Sequence, residues 1–216
     1  MSGRFKRVAI GGSAADPPHL GHLEILKFLL RRNDFDCVVW IVSGVRPDKP
    51  QMVDFEHRLN MTYLTIPDNF LYHNPPLLIK PDDLSSGYFT PTITWLKKLR
   101  AEGSADELVC YVGADALLKR DCFGGLCEIE ALWHKGEELM SEYPFIIFPR
   151  AGFPDLATRR EFYVWPQRFE IATLRKLVNI SSSSIRRRLE AGQSIEGLVT
   201  PQVEEYINRF DLYKRR

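Results

Sequence analysis

The chain has 216 residues, of which 44% are hydrophobic and 26% charged, and its net charge is +1. That is ordinary globular composition, enough to bury a core without disulfide or metal staples. The near-neutral balance points to neither a nucleic-acid coat nor a membrane surface as partner, although it leaves room for a local basic pocket.

Cys37 and Cys110 sit inside apolar runs and read as buried thiols. Cys122 and Cys127 flank a Gly-Gly pair and could pair or bind metal, but no histidine or cysteine near them completes a zinc spacing. The start, MSGRFKRVAIGG, has too short an apolar stretch for a secretion signal. No run reaches the ~20 apolar residues of a membrane span. A cytoplasmic protein is expected.

The elements alternate along the chain. Val8–Ile10 is a short strand. Leu20–Arg32 places Leu23, Leu26, Leu29 and Leu30 on one helical face and ends in two arginines, which suit a helix C-terminus. Cys37–Val42 is apolar throughout, as in a strand covered on both faces. Phe55–Ile66 reads as a helix with Asp54 as N-cap. Leu71–Ile79 contains a weaker strand broken by Pro75 and Pro76. Thr90 and Pro91 read as N-cap and N1 of a helix running to about Ala101. Leu108–Val112 and Phe145–Phe148 are buried strands, and Phe169–Leu174 is the last. Ser182–Glu190 is a helix closed by Gly192, and Thr200-Pro201 opens a final helix to about Phe210.

Strand and helix in alternation imply βαβ units. The expected fold is α/β, a Rossmann-like doubly wound parallel sheet with helices on both faces, followed by a C-terminal helical part at about 181–216. Residues 1–216 are expected to form one domain. In such sheets ligands bind outside the C-terminal ends of the strands.

IGGSAADPPHLGH, residues 10–22, lies at such an end. Gly11 and Gly12 allow a backbone path closed to other residues and leave room for a ligand against the main chain. Pro17 and Pro18 stiffen the turn. His19 and His22 are three apart, so both face one side of the first helical turn. Backbone N–H groups there favour an anion, usually phosphate. The stretch is neither a Walker A loop nor a dinucleotide fingerprint. A strand-to-helix turn with a capping histidine is the plain structural alternative.

NISSSSIRRRLEAG, residues 179–192, is the second unusual stretch. One serine would cap the helix, yet four, Ser181 to Ser184, precede Ile185 and Arg186. Hydroxyls, backbone donors and the Arg186 guanidinium converge there as a second phosphate site. Two such helix starts in one α/β domain suggest a polyphosphate held between them.

Together these motifs resemble the nucleotidyltransferases related to class I aminoacyl-tRNA synthetases. Among them the chain is most similar to the nicotinate (or nicotinamide) mononucleotide adenylyltransferases. VGADAL (112–117), FPRAGFP (148–154) and GYFTPT (87–92) resemble further segments of that family, and Trp133 falls where it places a stacking tryptophan. The chain departs from the family at Ser13–Asp16, where the loop is one residue longer. Asp48 stands where the family has a histidine.

The resemblance implies transfer of AMP from ATP to the 5′-phosphate of a pyridine mononucleotide, with release of pyrophosphate. His19, His22 and Arg186 would stabilise charge at the reacting centre. Gly11, Gly12, Ser13, Asp16, Gly113, Asp115, Ser181 and Ser183 would hold ATP. Lys49, Tyr88, Thr90, Trp133 and Arg150 would hold the acceptor. Mg²⁺ would arrive on the ATP phosphates, with no protein metal site. A homo-oligomer is left open. Two alternatives remain at this point: another phosphorylated acceptor, or a catalytically silent nucleotide-binding relative.

Overall fold

The computed structural model describes residues 5–46, 49–71, 74–82, 90–174 and 179–214. Six strands form one sheet: β1 (Phe5–Ser13), β2 (Cys37–Val42), β3 (Leu77–Pro81), β4 (Ala105–Gly113), β5 (Phe145–Phe148) and β6 (Phe169–Ile171). Eight α-helices accompany them among the described residues: α1 (Leu20–Leu30), α2 (Phe55–Thr65), α3 (Asp68–Leu71), α4 (Thr92–Ala101), α5 (Glu128–Leu132), α6 (Gly136–Glu142), α7 (Ser182–Glu190) and α8 (Pro201–Arg209).

The strand order is β3-β2-β1-β4-β5-β6, and every pairing is parallel. The chain runs outward from β1 to β3, then returns to lay β4 on the other side of β1. The order therefore reverses between β1 and β4, the position at which an open α/β sheet leaves a crevice.

The apolar run of β2 explains its place. Cys37, Val39 and Ile41 face one core with Ile93 and Leu96 of α4, Ile129 of α5 and Leu139 of α6. Val38, Trp40 and Val42 face the other, with Leu26, Leu29 and Leu30 of α1. Alternate side chains of a strand point to opposite faces, so a strand covered twice must be apolar at every position. Each leucine that α1 buries contributes roughly 1.5–3 kcal/mol. A third core joins the C-terminal helices to α2: Ile185, Val203, Ile207 and Leu212 surround Met61.

Some element boundaries differ from the sequence reading. β1 and β4 are longer than their apolar centres because they pair with each other beyond them, Phe5 with Ala105 and Arg7 with Glu107. β3 starts at Leu77, after both prolines, whereas Leu71 ends α3. β6 stops at Ile171, where its pairing with β5 ends. Thr90 is not a helix cap: Pro91 holds the N-cap position of α4, and the Thr90 N–H donates to Asp82 Oδ2 at 2.7 Å. Asp54 occupies the N-cap of α2 but makes no side-chain capping bond.

Candidate active site

A cleft of about 1290 Å³ opens over the C-terminal ends of β1, β2, β4 and β5. From the first loop it takes Gly11, Gly12, Ser13, Asp16, His19 and His22. The opposite wall carries Gly113, Asp115, Trp133 and Arg150, and the C-terminal part adds Ser181, Ser183 and Arg186. Lys49 and Thr90 lie at the β2 side. The fold thus brings together in one cavity all the site residues expected from sequence, apart from Tyr88. Tyr88 and Asp48 lie outside the described residues.

The two histidines begin α1 in an unusual way. His19 is the N-cap, and its Nδ1 accepts the Gly21 N–H at 3.1 Å. His22 closes a reciprocal capping box, its Nδ1 accepting the His19 N–H at 3.2 Å. An accepting ring nitrogen carries no proton, so this network assigns the proton of each neutral imidazole to Nε2. The rings lie 3.9 Å apart, centroid to centroid. Burial, then the neighbouring His22 and Arg150, pull the His19 pKa well below 6.5. Burial and Arg150 pull His22 down to about 4, against a smaller upward pull from Asp115. At neutral pH the pair presents two Nε2–H donors and no net charge.

One expectation from the sequence fails at this motif. The main-chain donors of α1 do not point at the cleft: Leu20 N–H donates to Leu198 O at 3.0 Å, Gly21 N–H to the His19 ring, and His22 N–H to His19 O at 2.9 Å. Among the described residues, the groups of this motif that remain able to donate into the cleft are the imidazole Nε2–H groups rather than the helix start. Gly11 borders the cleft, but the space a side chain would take there is filled by a neighbour. A Cβ there would lie 2.6 Å from Tyr111 Cζ. The Tyr111 ring occupies that space and its hydroxyl donates to Val39 O at 3.0 Å. Gly21 likewise makes room for its neighbour, since a Cβ would lie 2.9 Å from the His19 ring.

The start of α7 is different. Ser181 Oγ caps it, accepting the Ser184 N–H at 3.1 Å, while no acceptor among the described residues takes the N–H groups of Ser182 and Ser183. Arg186 lies one turn on. Its Nη1 donates to Asp16 O at 2.6 Å and reaches Asp16 Oδ2 at 3.3 Å, and its Nη2 donates to Ser183 Oγ at 3.3 Å. Ser182 Oγ donates to Pro17 O at 2.9 Å. These bonds fasten the second motif to the first. Asp16 is 2% exposed. Its other oxygen accepts the Tyr213 hydroxyl at 2.8 Å and the Val53 N–H at 3.4 Å. Burial and the adjacent carboxylate raise the Tyr213 pKa, so that hydroxyl stays a donor.

Two buried residues that frame the cleft escaped the sequence reading. Arg58 of α2 is 1% exposed. It donates to Ala14 O at 2.8 Å, Ser43 O at 2.6 Å, Gly44 O at 3.2 Å and Val53 O at 3.0 Å, holding the loops after β1 and β2 together. Asp82, after β3, accepts from Gly44 N at 3.0 Å, Thr90 N at 2.7 Å and Trp95 Nε1 at 3.1 Å. A charged residue inside an amphipathic helix or a strand end gives no local signal of such a role. Only the arrival of distant carbonyls and amides reveals it.

On the far wall Arg150 Nη1 pairs with Asp115 Oδ2 at 2.5 Å. Trp133 directs its N–H to Glu128 Oε1 at 3.4 Å. Among the described residues no three His, Cys, Asp or Glu side chains converge as a metal cage, and no helix is long and apolar enough to cross a membrane.

Residues 10–188 match the family described as cytidylyltransferase-like. A protein of Salinibacter ruber named "Probable nicotinate-nucleotide adenylyltransferase" is 29% identical, the alignment covering 96% of this chain and 97% of that one. A protein of the same name from Dehalococcoides mccartyi strain BAV1 is 31% identical over 97% of this chain and 98% of its own. Among solved structures, Plasmodium falciparum nicotinic acid mononucleotide adenylyltransferase complexed with NaAD superposes with a TM-score of 0.72. It is 24% identical and covers 96% of this chain and 97% of its own, a likeness of fold.

Proposed function

The chain belongs to the cytidylyltransferase-like family, and within it we propose that it is a nicotinate-nucleotide adenylyltransferase, moving AMP from ATP to the 5′-phosphate of nicotinate mononucleotide. The observation that carries this reading is the joining of the two motifs. Arg186 and Ser182 fasten α7 to the Asp16-Pro17 turn, so the His19–His22 pair and the open start of α7 share one cleft. The names of the full-length relatives support nicotinate as the acceptor base.

In this reading a phosphate oxygen of the mononucleotide attacks the α-phosphorus of ATP, and the bond to the β-phosphate oxygen breaks. The attacking phosphate is ionised at neutral pH, so no base has to remove a proton. The protein's task is alignment and charge stabilisation. His19 and His22 donate Nε2–H to the oxygens of the phosphate under attack. The departing pyrophosphate rests against Ser182 and Ser183 N–H, the Ser181 and Ser183 hydroxyls and Arg186. Asp16 holds Arg186 in place and keeps its carboxylate turned away from the phosphates. Asp115, paired to Arg150, offers a carboxylate edge to ribose hydroxyls, and Gly113, Thr90, Lys49 and Trp133 line the adenosine and acceptor sides.

Mg²⁺ fits as a passenger on ATP. Two carboxylates that line the cleft, Asp16 and Asp115, are already paired to arginines. Mg²⁺ keeps its water shell more readily than it enters a protein cage. It would supply charge neutralisation on the leaving phosphates.

The test is turnover with ATP, Mg²⁺ and, in parallel, nicotinate mononucleotide, nicotinamide mononucleotide or phosphopantetheine, with products identified by mass. The expected product is the nicotinate dinucleotide, formed with kcat/KM at least about 10-fold above the amide. Adenylylated phosphopantetheine alone would overturn the reading.

A further inference from the structure

Trp40 belongs to neither motif. It reads as one apolar residue in the run CVVWIV. Strand alternation turns it to the α1 face of the sheet, and the register sets it beside Gly11. There it does two things that packing alone does not require. Its Nε1–H donates to Ser13 Oγ at 3.2 Å. Its ring stacks on His22, with centroids 5.4 Å apart and planes 26° from parallel. Trp40 is 2% exposed and yet borders the cleft.

We propose that Trp40 is a positioning residue for adenylyl transfer, fixing the plane of the His22 ring and the direction of the Ser13 hydroxyl. The proposal rests on the reading of the cleft given above. A hydroxyl has one proton and two lone pairs. When Ser13 Oγ accepts from the indole, its own O–H is left to donate to a ligand oxygen. The imidazole of His22 is tied at Nδ1 to the His19 N–H and packs against the His19 ring. The indole is the second ring stacked on it, and it completes the setting of the plane that aims Nε2–H. Ser13 lies at the end of β1 and His22 in the first turn of α1, so one rigid side chain sets two donors that come from different elements.

The test is a double-mutant cycle on kcat and KM. Trp40→Phe keeps a ring under His22 and removes the N–H. It should lower kcat about 10-fold and leave KM for ATP within about two-fold. Ser13→Ala should lower kcat by a similar factor. The double variant should be no slower than Ser13→Ala, because the N–H has no hydroxyl left to direct. Trp40→Leu, which also removes the stack, should lose about 100-fold. If Trp40→Leu does not fold, Trp40→Phe and its cycle carry the test. Losses in the cycle that multiply, or Trp40→Phe at wild-type kcat, would overturn the proposal, since a filler of the core has no reason to couple to Ser13. Should the wild-type protein release no pyrophosphate, the transfer reading fails. The same cycle is then read in the affinity for Mg·ATP by calorimetry: coupled losses keep Trp40 as the positioning residue of the polyphosphate site, and independent ones overturn it.

Discussion

At the scale of the residue, the backbone occupies Nδ1 of both His19 and His22, and in the proposed reaction both rings act as neutral Nε2–H donors. His19→Ala and His22→Ala should each reduce kcat by about 10²–10³, the cost of removing one donor from a site where charge moves, with circular dichroism unchanged. Their depressed pKa values have a consequence for folding. The unfolded chain binds these protons near pH 6.5, while folded His22 binds its own only near pH 4 and His19 also well below 6.5. Between those values the unfolded state holds more protons, so stability falls as pH drops from about 6.5 towards 4, by up to about 1.4 kcal/mol per pH unit for each histidine. Above pH 6.5 both states are neutral at these residues and the contribution is constant. Urea unfolding across pH 4.5–7.5 should show this slope, and His22→Ala should reduce it; an unaltered slope would contradict the assignment. Gly11 offers a second test. Gly11→Ala drives a methyl into the Tyr111 ring and should cost roughly 1–3 kcal/mol. Adding Tyr111→Val should recover much of it. The glycine was legible as a special position, but its reason was not, because the ring that needs the space comes from β4, some hundred residues on.

At the scale of the element, loops are held by side chains from helices behind them. Arg58 is the clearest case: four carbonyls from the turns after β1 and β2 converge on one guanidinium. Arg58→Met leaves those oxygens facing a thioether. It should lower stability by about 3 kcal/mol, which for a chain of this length is a fall in Tm of roughly 6–12 °C. It should also raise KM for both substrates, since both loops lose their anchor. Arg58→Lys cannot span four acceptors with one ammonium and should rescue little. A Tm within 2 °C of wild type would refute this role. The helices themselves were readable. Leu23, Leu26, Leu29 and Leu30 are buried as their spacing predicts, and Ser181 caps α7. What sequence could not supply was the commitment of donors. From the chain alone both helix starts look like anion sites, yet Leu198 and the His19 ring take the N–H groups of α1 and leave the open donors to α7.

At the scale of the whole molecule, the alternation of apolar runs and helical stripes was enough for a parallel sheet, and the motifs towards the two chain ends were enough to mark residues that line one cleft. The sheet order places them together, with β1 at the reversal and β2 and β4 on either side. The β2 side of the cleft was less readable, because buried Asp82 gathers its donors from Gly44, Thr90 and Trp95 of α4 rather than from a local pattern. In the proposed reaction the cleft transfers AMP through its two neutral histidines and its anchored arginine. The most direct measurement is pyrophosphate released in a single turnover by wild type, His22→Ala and Arg186→Ala, with saturating Mg·ATP and nicotinate mononucleotide. Wild type should give one equivalent of pyrophosphate and of nicotinate dinucleotide, and both variants should be at least about 100-fold slower. Pyrophosphate released at the wild-type rate by either variant would contradict this reading, as would a wild type that binds ATP and forms no dinucleotide.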